Sequence, residues 1–251
     1  MENFKMGLVS VSFRNNLPSE ILSAMKKAKI KNIEWGSDVH APCKDLQRLS
    51  EIACLQKQYG ITCCSYGTYF RIGVNLIEEI YDYISAAKVL GTNVLRLWCG
   101  SKNSEEYTLE EKKILFNECK ALAQIGADCG VVFCLECHIG TFTNSLNSAL
   151  KVMQYVNSNN FKMYWQPHQN RMTDINLNYA KNIAQYTVNI HAFNWNGSFR
   201  YPLSEAKELW IKYLNYFDGS QFVLLEFMPD DNINTLSTEA DSLRKIVEAL
   251  Q

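Results

Sequence analysis

Residues 131–145 read VVFCLECHIGTFTNS, an apolar run that carries Glu136 and His138 toward the middle of the protein. Side chains alternate along a strand, so Val132, Cys134, Glu136 and His138 are expected on one face and Val131, Phe133, Leu135 and Cys137 on the other. An ionised carboxylate in such surroundings is costly unless something positive compensates it. A bound metal ion is the expected compensation.

The same kind of run recurs on both sides of this one. Short β-rich apolar segments alternate with longer segments of helical spacing, eight times over. Strands are expected at GLVSVSF from Gly7, NIEWGSD from Asn32, ITCCSYGTYF from Ile61 and NVLRLWC from Asn93. The second half supplies VVFCLECH from Val131, FKMYWQPH from Phe161, TVNIHAFNW from Thr187 and QFVLLEFM from Gln221. Pro18 suits the first turn of one helix, and Thr108 with Glu111 forms a capping box for another. Gly60, Gly91 and Gly126 are expected to close three helices, where a left-handed residue turns the chain. Eight βα units leave a closed barrel or an open doubly wound sheet. The first βα turn carries no G-x-G-x-x-G, so the expected fold is α/β, one (β/α)8 TIM barrel over residues 1–251.

Composition agrees with that size. The 251 residues are 47% hydrophobic and 20% charged, with a formal net charge of -1. Such a balance gives no general field to attract nucleic acid or an anionic membrane, and a small, locally recognised ligand fits better. No stretch approaches the ~20 apolar residues of a membrane span, and MENFKMGLVS lacks an apolar signal core, so a cytoplasmic protein is expected. Nine cysteines are scattered. Cys63 and Cys64 on one strand point to opposite sides, and Cys134 and Cys137 have strand rather than redox-motif geometry, so reduced buried thiols are expected.

In such a barrel the active site lies at the C-terminal ends of the strands. Chemically able residues gather there. Glu34 and Asp38 close the second strand, with His40 just after; Arg96 and Trp98 close the fourth, Glu136 and His138 the fifth, Gln166 and His168 the sixth, His191 the seventh and Glu226 the eighth. Two glutamates and an imidazole in one mouth suit a metal better than simple ion pairing. Arg14, Arg71, Arg96 and Arg200 stand at or just past strand ends, where either the group binds an anionic sugar or Arg96 balances Glu34 and the others are solvated loop residues. Tyr66, Tyr69, Trp98 and Trp195 either stack on a sugar or floor the pocket.

The segments IEWGSDVH, LECHIGTFTNS, YWQPHQN, NIHAFNW and LLEFMP resemble the sugar phosphate isomerase/epimerase family, the xylose isomerase-like barrels that include tagatose epimerases, hydroxypyruvate isomerases and, more distantly, endonuclease IV. The resemblance implies one divalent metal ion, with Mn, Mg, Co and Zn all open, on Glu136, Gln166, His191 and Glu226. Gln166 stands where the family has aspartate, which implies weaker binding. The resemblance also implies that Glu136 and Glu226 act as an acid/base pair on a small carbohydrate through an enediolate. Glu34, Tyr66, Arg96, His138, His168, Asn194 and Arg200 are the expected substrate contacts. His168 lies one position early for the family's D-x-x-H. The alternatives are a catalytically silent sugar-binding barrel, a dehydratase, or an endonuclease IV-like hydrolase, for which four histidines and no basic stripe are too little. No nucleic acid or membrane partner is expected, and a homo-oligomer is left open.

Overall fold

The computed structural model describes residues 4–250. Eight parallel strands close into a barrel: β1 (Lys5–Val9), β2 (Asn32–Gly36), β3 (Thr62–Ile72), β4 (Val94–Cys99), β5 (Val132–Glu136), β6 (Phe161–Trp165), β7 (Thr187–Ala192) and β8 (Phe222–Leu225). Each pairs with its chain neighbours, and β8 returns to pair with β1. Helices α1 (Pro18–Lys27), α2 (Leu46–Tyr59), α3 (Ile80–Leu90), α4 (Leu109–Cys129), α5 (Leu146–Val156), α6 (Thr173–Ile183), α7 (Lys207–Leu214) and α8 (Leu236–Glu248) cover its outer face. Strands buried on both faces need nearly continuous apolar sequence, which is why the runs read as they do. No helix of the described residues is long and apolar enough to cross a membrane.

Local signals account for most helix ends. Pro18 opens α1. The Thr108 hydroxyl accepts from the Glu111 amide at 3.2 Å, and the Glu111 carboxylate accepts from the Thr108 amide at 2.7 Å. Gly60 and Gly91 end α2 and α3 at φ +65° and +84°. Gly126 corrects the expectation: α4 runs through it and stops at Gly130, φ +70°. Gly126 instead lets the helix lie close to the strand layer, since a Cβ there would sit 3.0 Å from the Val131 carbonyl oxygen.

The strands end sooner than the apolar runs do. Ser10–Phe13 forms a 3-10 turn, and His138 and His168 stand in loops beyond β5 and β6. After β7 a short hairpin, Trp195–Asn196 with Phe199–Arg200, rises over the barrel mouth. All nine cysteines are free thiols. Burial pushes the Cys63 and Cys137 thiols up to about 12, which leaves both unreactive at neutral pH.

Candidate metal centre and active site

Glu136 ends β5, His191 lies near the end of β7, and Glu226 follows β8, so barrel closure brings all three inward. One ligand atom from each lies within 4.8 Å of the others. His191 Nδ1 is 3.6 Å from Glu136 Oε1, 3.5 Å from Glu226 Oε2 and 3.1 Å from Gln166 Oε1. Four donors thus converge on one spot. Opposed ligands at ~2.1 Å from an ion stand about 4.2 Å apart, so small side-chain adjustments close these four around one cation.

The charges fit as well. Glu34, Glu136 and Glu226 are buried together with one guanidinium, Arg96. With a neutral imidazole, two negative charges are in excess, the charge of one divalent ion. On the other ring edge, His191 Nε2 is fully buried, has no hydrogen-bond partner, and faces Glu34 Oε1 at 3.5 Å. Burial would push the His191 imidazolium to deprotonate, but Glu226, Glu34 and Glu136 outweigh it and hold its pKa well above the ordinary value. A cation is what these groups attract, and a proton is the smallest one.

Arg96 organises the floor. Its Nε donates to Glu34 Oε1 at 3.0 Å and its Nη1 to Glu136 Oε2. Trp98 Nε1 donates to that same Glu136 oxygen at 2.6 Å, and the Ser65 hydroxyl donates to Glu34 Oε2 at 2.8 Å. Burial alone would raise both carboxyls, yet Arg96 and the nearby imidazole hold Glu136 far below the carboxylate range and Glu34 at about 2. Gly67 makes room for the pair: a Cβ there would lie 2.7 Å from both Arg96 Nη2 and Glu34 Oε1. Because those ends are locked by each other and buried, Gly67→Ala is expected to lower stability by about 1–3 kcal/mol, read as a shifted urea midpoint.

Above this floor lies a cavity of about 250 Å³. Arg96, Glu136, His138, Gln166 and Glu226, all singled out in the sequence, are among the residues that line it. His138 lies against Trp98, ring centroids 5.2 Å apart, and its Nδ1 donates to the Ile139 carbonyl at 2.6 Å. The carbonyl only accepts, so Nδ1 carries a proton and Nε2 is the ring nitrogen left without a partner from Ile139. Glu34 is one layer deeper.

Other expected contacts are elsewhere. Tyr66 is a correction: Ser65 and Gly67 point inward on β3, so alternation turns Tyr66 outward, where it is fully buried, donates to the Ala41 carbonyl and packs on Tyr83 of α3. Asn194 donates to the Pro202 carbonyl at 2.9 Å, and Arg200 pairs with Asp231. His168 and Asn194 line an adjoining cleft beside α6 and α7 rather than the cavity itself. Burial and the neighbouring Arg171 push the His168 imidazole down to about 4, so the folded protein keeps it neutral. The unfolded chain takes up that proton near 6.5, so stability should fall as pH drops from about 6.5 to 4. A flatter acid melting profile for His168→Gln would verify this. His40 is structural, bonded to Ser10 and the Asn16 carbonyl.

Sequence reasoning missed Gln169, Phe193 and Phe227 as cavity residues. Phe227 adopts φ +55°, a strained region for an aromatic residue, and no pattern in the chain signals it.

A family model described as xylose isomerase-like TIM barrel matches residues 22–200. The chain belongs to that family. It is 27% identical over 172 residues to a 3-dehydroshikimate dehydratase of Bacillus anthracis, a match covering 63% of this chain and 60% of that protein. The chain therefore aligns with less than two thirds of that relative's length. The IOLI protein with a bound zinc atom superposes with TM-score 0.79 at 16% identity, covering 99% of each chain. D-psicose 3-epimerase of Clostridium cellulolyticum, solved with D-tagatose, gives 0.70 at 15% identity over 99% of this chain and 100% of its own. At these identities the likeness of the two structures is one of fold.

Proposed function

We propose that this chain is a divalent-metal-dependent enzyme that removes a proton next to a carbonyl in a small polyhydroxylated substrate. The observation that carries the reading is the meeting of Glu136, Gln166, His191 and Glu226 on one spot at the cavity floor. A divalent ion there would polarise the substrate carbonyl and offset the charge of an enediolate.

The two carboxylates differ, and the difference shapes the reaction. Glu136 Oε2 already accepts from Arg96 and Trp98, so this group is a firmly ionised, poor proton acceptor. Glu226 lines the cavity and, among the described residues, its carboxylate has only the 3.5 Å approach to His191. Glu226 is therefore assigned as the base, and Glu136 as a positioned ligand. His138, which lines the cavity, is assigned to carry a proton to or from a substrate oxygen. A single proton acceptor facing the cavity favours aldose–ketose isomerisation over the two-faced proton exchange of an epimerase.

A dehydratase is the second reading, favoured by the relative in Bacillus anthracis. Elimination of water from a β-hydroxy ketone starts with the same proton abstraction by Glu226 and needs one proton on the leaving hydroxyl, which departs as water; His138, taking that proton from solvent at Nε2, is assigned to deliver it. Metal-saturated protein should introduce solvent deuterium next to the carbonyl of a ketose, or convert 3-dehydroshikimate. Glu226→Gln, assayed at saturating metal, should slow that step by about 100-fold or more. Full exchange in that variant would remove Glu226 from the role.

A further inference from the structure

The cavity with the metal donors is lined by two carboxylates, Glu136 and Glu226, and the cleft beside it by none. This cleft, of about 290 Å³, lies between the loop after β6 and the hairpin after β7, against α6 and α7. Gln169, Phe193 and Trp195 belong to both spaces and form their common wall. Arg171 is the one residue of fixed charge in the cleft lining. Its Nη2 donates to the Asn144 carbonyl. Glu105, the acid that feels its charge, is exposed and bonded to Asn144 and Ser104 instead. With five N–H groups in a planar fork, the guanidinium keeps donors to spare.

Two further donors line the same cleft. The Asn170 amide donates to His168 Nδ1 at 3.2 Å, so Nδ1 accepts and the ring carries its proton at Nε2. His168 Nε2 is buried and has no hydrogen-bond partner among the described residues, and the same holds for Trp195 Nε1. A buried N–H without an acceptor is costly, and native folds rarely keep one. Two of them beside an arginine, with no carboxylate in the lining, call for a ligand that brings acceptor oxygens. The other polar groups are already used: Asn176 bonds the His168 backbone at 3.0 and 3.1 Å, and Trp210 Nε1 donates to the Phe193 carbonyl at 3.0 Å. What Phe193, Leu209, Trp210 and Tyr213 offer the cleft is mostly apolar surface.

We infer that this cleft is a second binding site, separate from the metal centre, for a small monocarboxylic acid with a flat apolar body. Arg171, His168 and Trp195 hold the carboxylate, and Trp210 and Tyr213 face the body. One guanidinium balances one carboxylate, whereas a phosphate at neutral pH brings up to two charges and no apolar part. The site does not depend on the metal-dependent reading above.

Equilibrium dialysis of radiolabelled benzoate against the full chain tests it, with and without saturating Mn²⁺, at neutral pH and constant ionic strength. One equivalent should bind with the same affinity in both states. Unlabelled benzamide, the uncharged isostere, and inorganic phosphate should each compete about tenfold or more less effectively than unlabelled benzoate. Arg171→Met should weaken binding by about tenfold or more, and Trp195→Phe, which keeps a ring and removes the N–H, by about threefold or more. Circular dichroism establishes that each variant keeps the barrel. No binding, equal competition by benzamide or phosphate, or unchanged affinity in either folded variant would overturn the inference. Binding that requires Mn²⁺ would put the carboxylate on the metal and overturn it as well.

Discussion

His191→Ala is expected to weaken divalent-metal binding by at least about 100-fold, because even partners of metal ligands are worth 10–100-fold. His191 is fully buried and contributes the nitrogen on which Glu136, Gln166 and Glu226 converge. Alanine removes that donor and leaves two carboxylates facing an apolar gap beside Tyr164. Titration calorimetry with Mn²⁺ and Zn²⁺ reads the affinity, and circular dichroism establishes that the barrel is retained. Gln166→Asp should act in the opposite direction, since it adds a charge 3.1 Å from the same nitrogen. A His191→Ala protein that binds metal like the parent would place the centre elsewhere.

Arg96→Met should be the most destabilising single change in the barrel, at about 3–5 kcal/mol, because it leaves buried carboxylates without their cation. Glu34 has no exposure and Arg96 is only 3% exposed, so water cannot substitute for the lost partner. The sign with pH is distinctive. In the parent, Glu34 is held at about 2, so its stabilising effect is complete above the usual carboxyl range and disappears as pH falls toward 2. In the variant, burial acts with far less opposition and raises that carboxyl, so acidification should narrow the gap between the two proteins. Urea unfolding at pH 7 and pH 5 measures both effects. Equal stabilities at pH 7 would mean that the pair is not the support described.

Arg96 also explains why the two glutamates of the site are unequal. Without coordinates, Glu136 and Glu226 look alike, each a lone acid in an apolar strand. The structure gives one of them two donors and leaves the other facing the cavity.

The eight-unit barrel could be read directly from the chain, because alternation and helical spacing are local properties and the two-sided burial of parallel strands leaves long apolar runs. The capping box at Thr108 and the left-handed glycines at Gly60 and Gly91 were legible for the same reason. Gly126 was not: its requirement is close approach to Val131 and Asn160 rather than a turn, and approach is a tertiary matter. Glu136, His191 and Glu226 stood out as polar residues at apolar strand ends, and closure of the ring then brought them together.

Sequence by itself therefore determined the succession of strands and helices and the set of side chains at the barrel mouth. Tertiary structure alone decided how those side chains divide their charges. Arg96 meets Glu34 across 62 residues and Glu136 across 40, Arg14 meets Asp38 across 24, and Arg200 meets Asp231 across 31. Nothing in the local pattern of any one strand records which distant partner it will face. Electrostatic pairing depends on a few ångströms of separation, and only a closed ring of strands fixes distances on that scale.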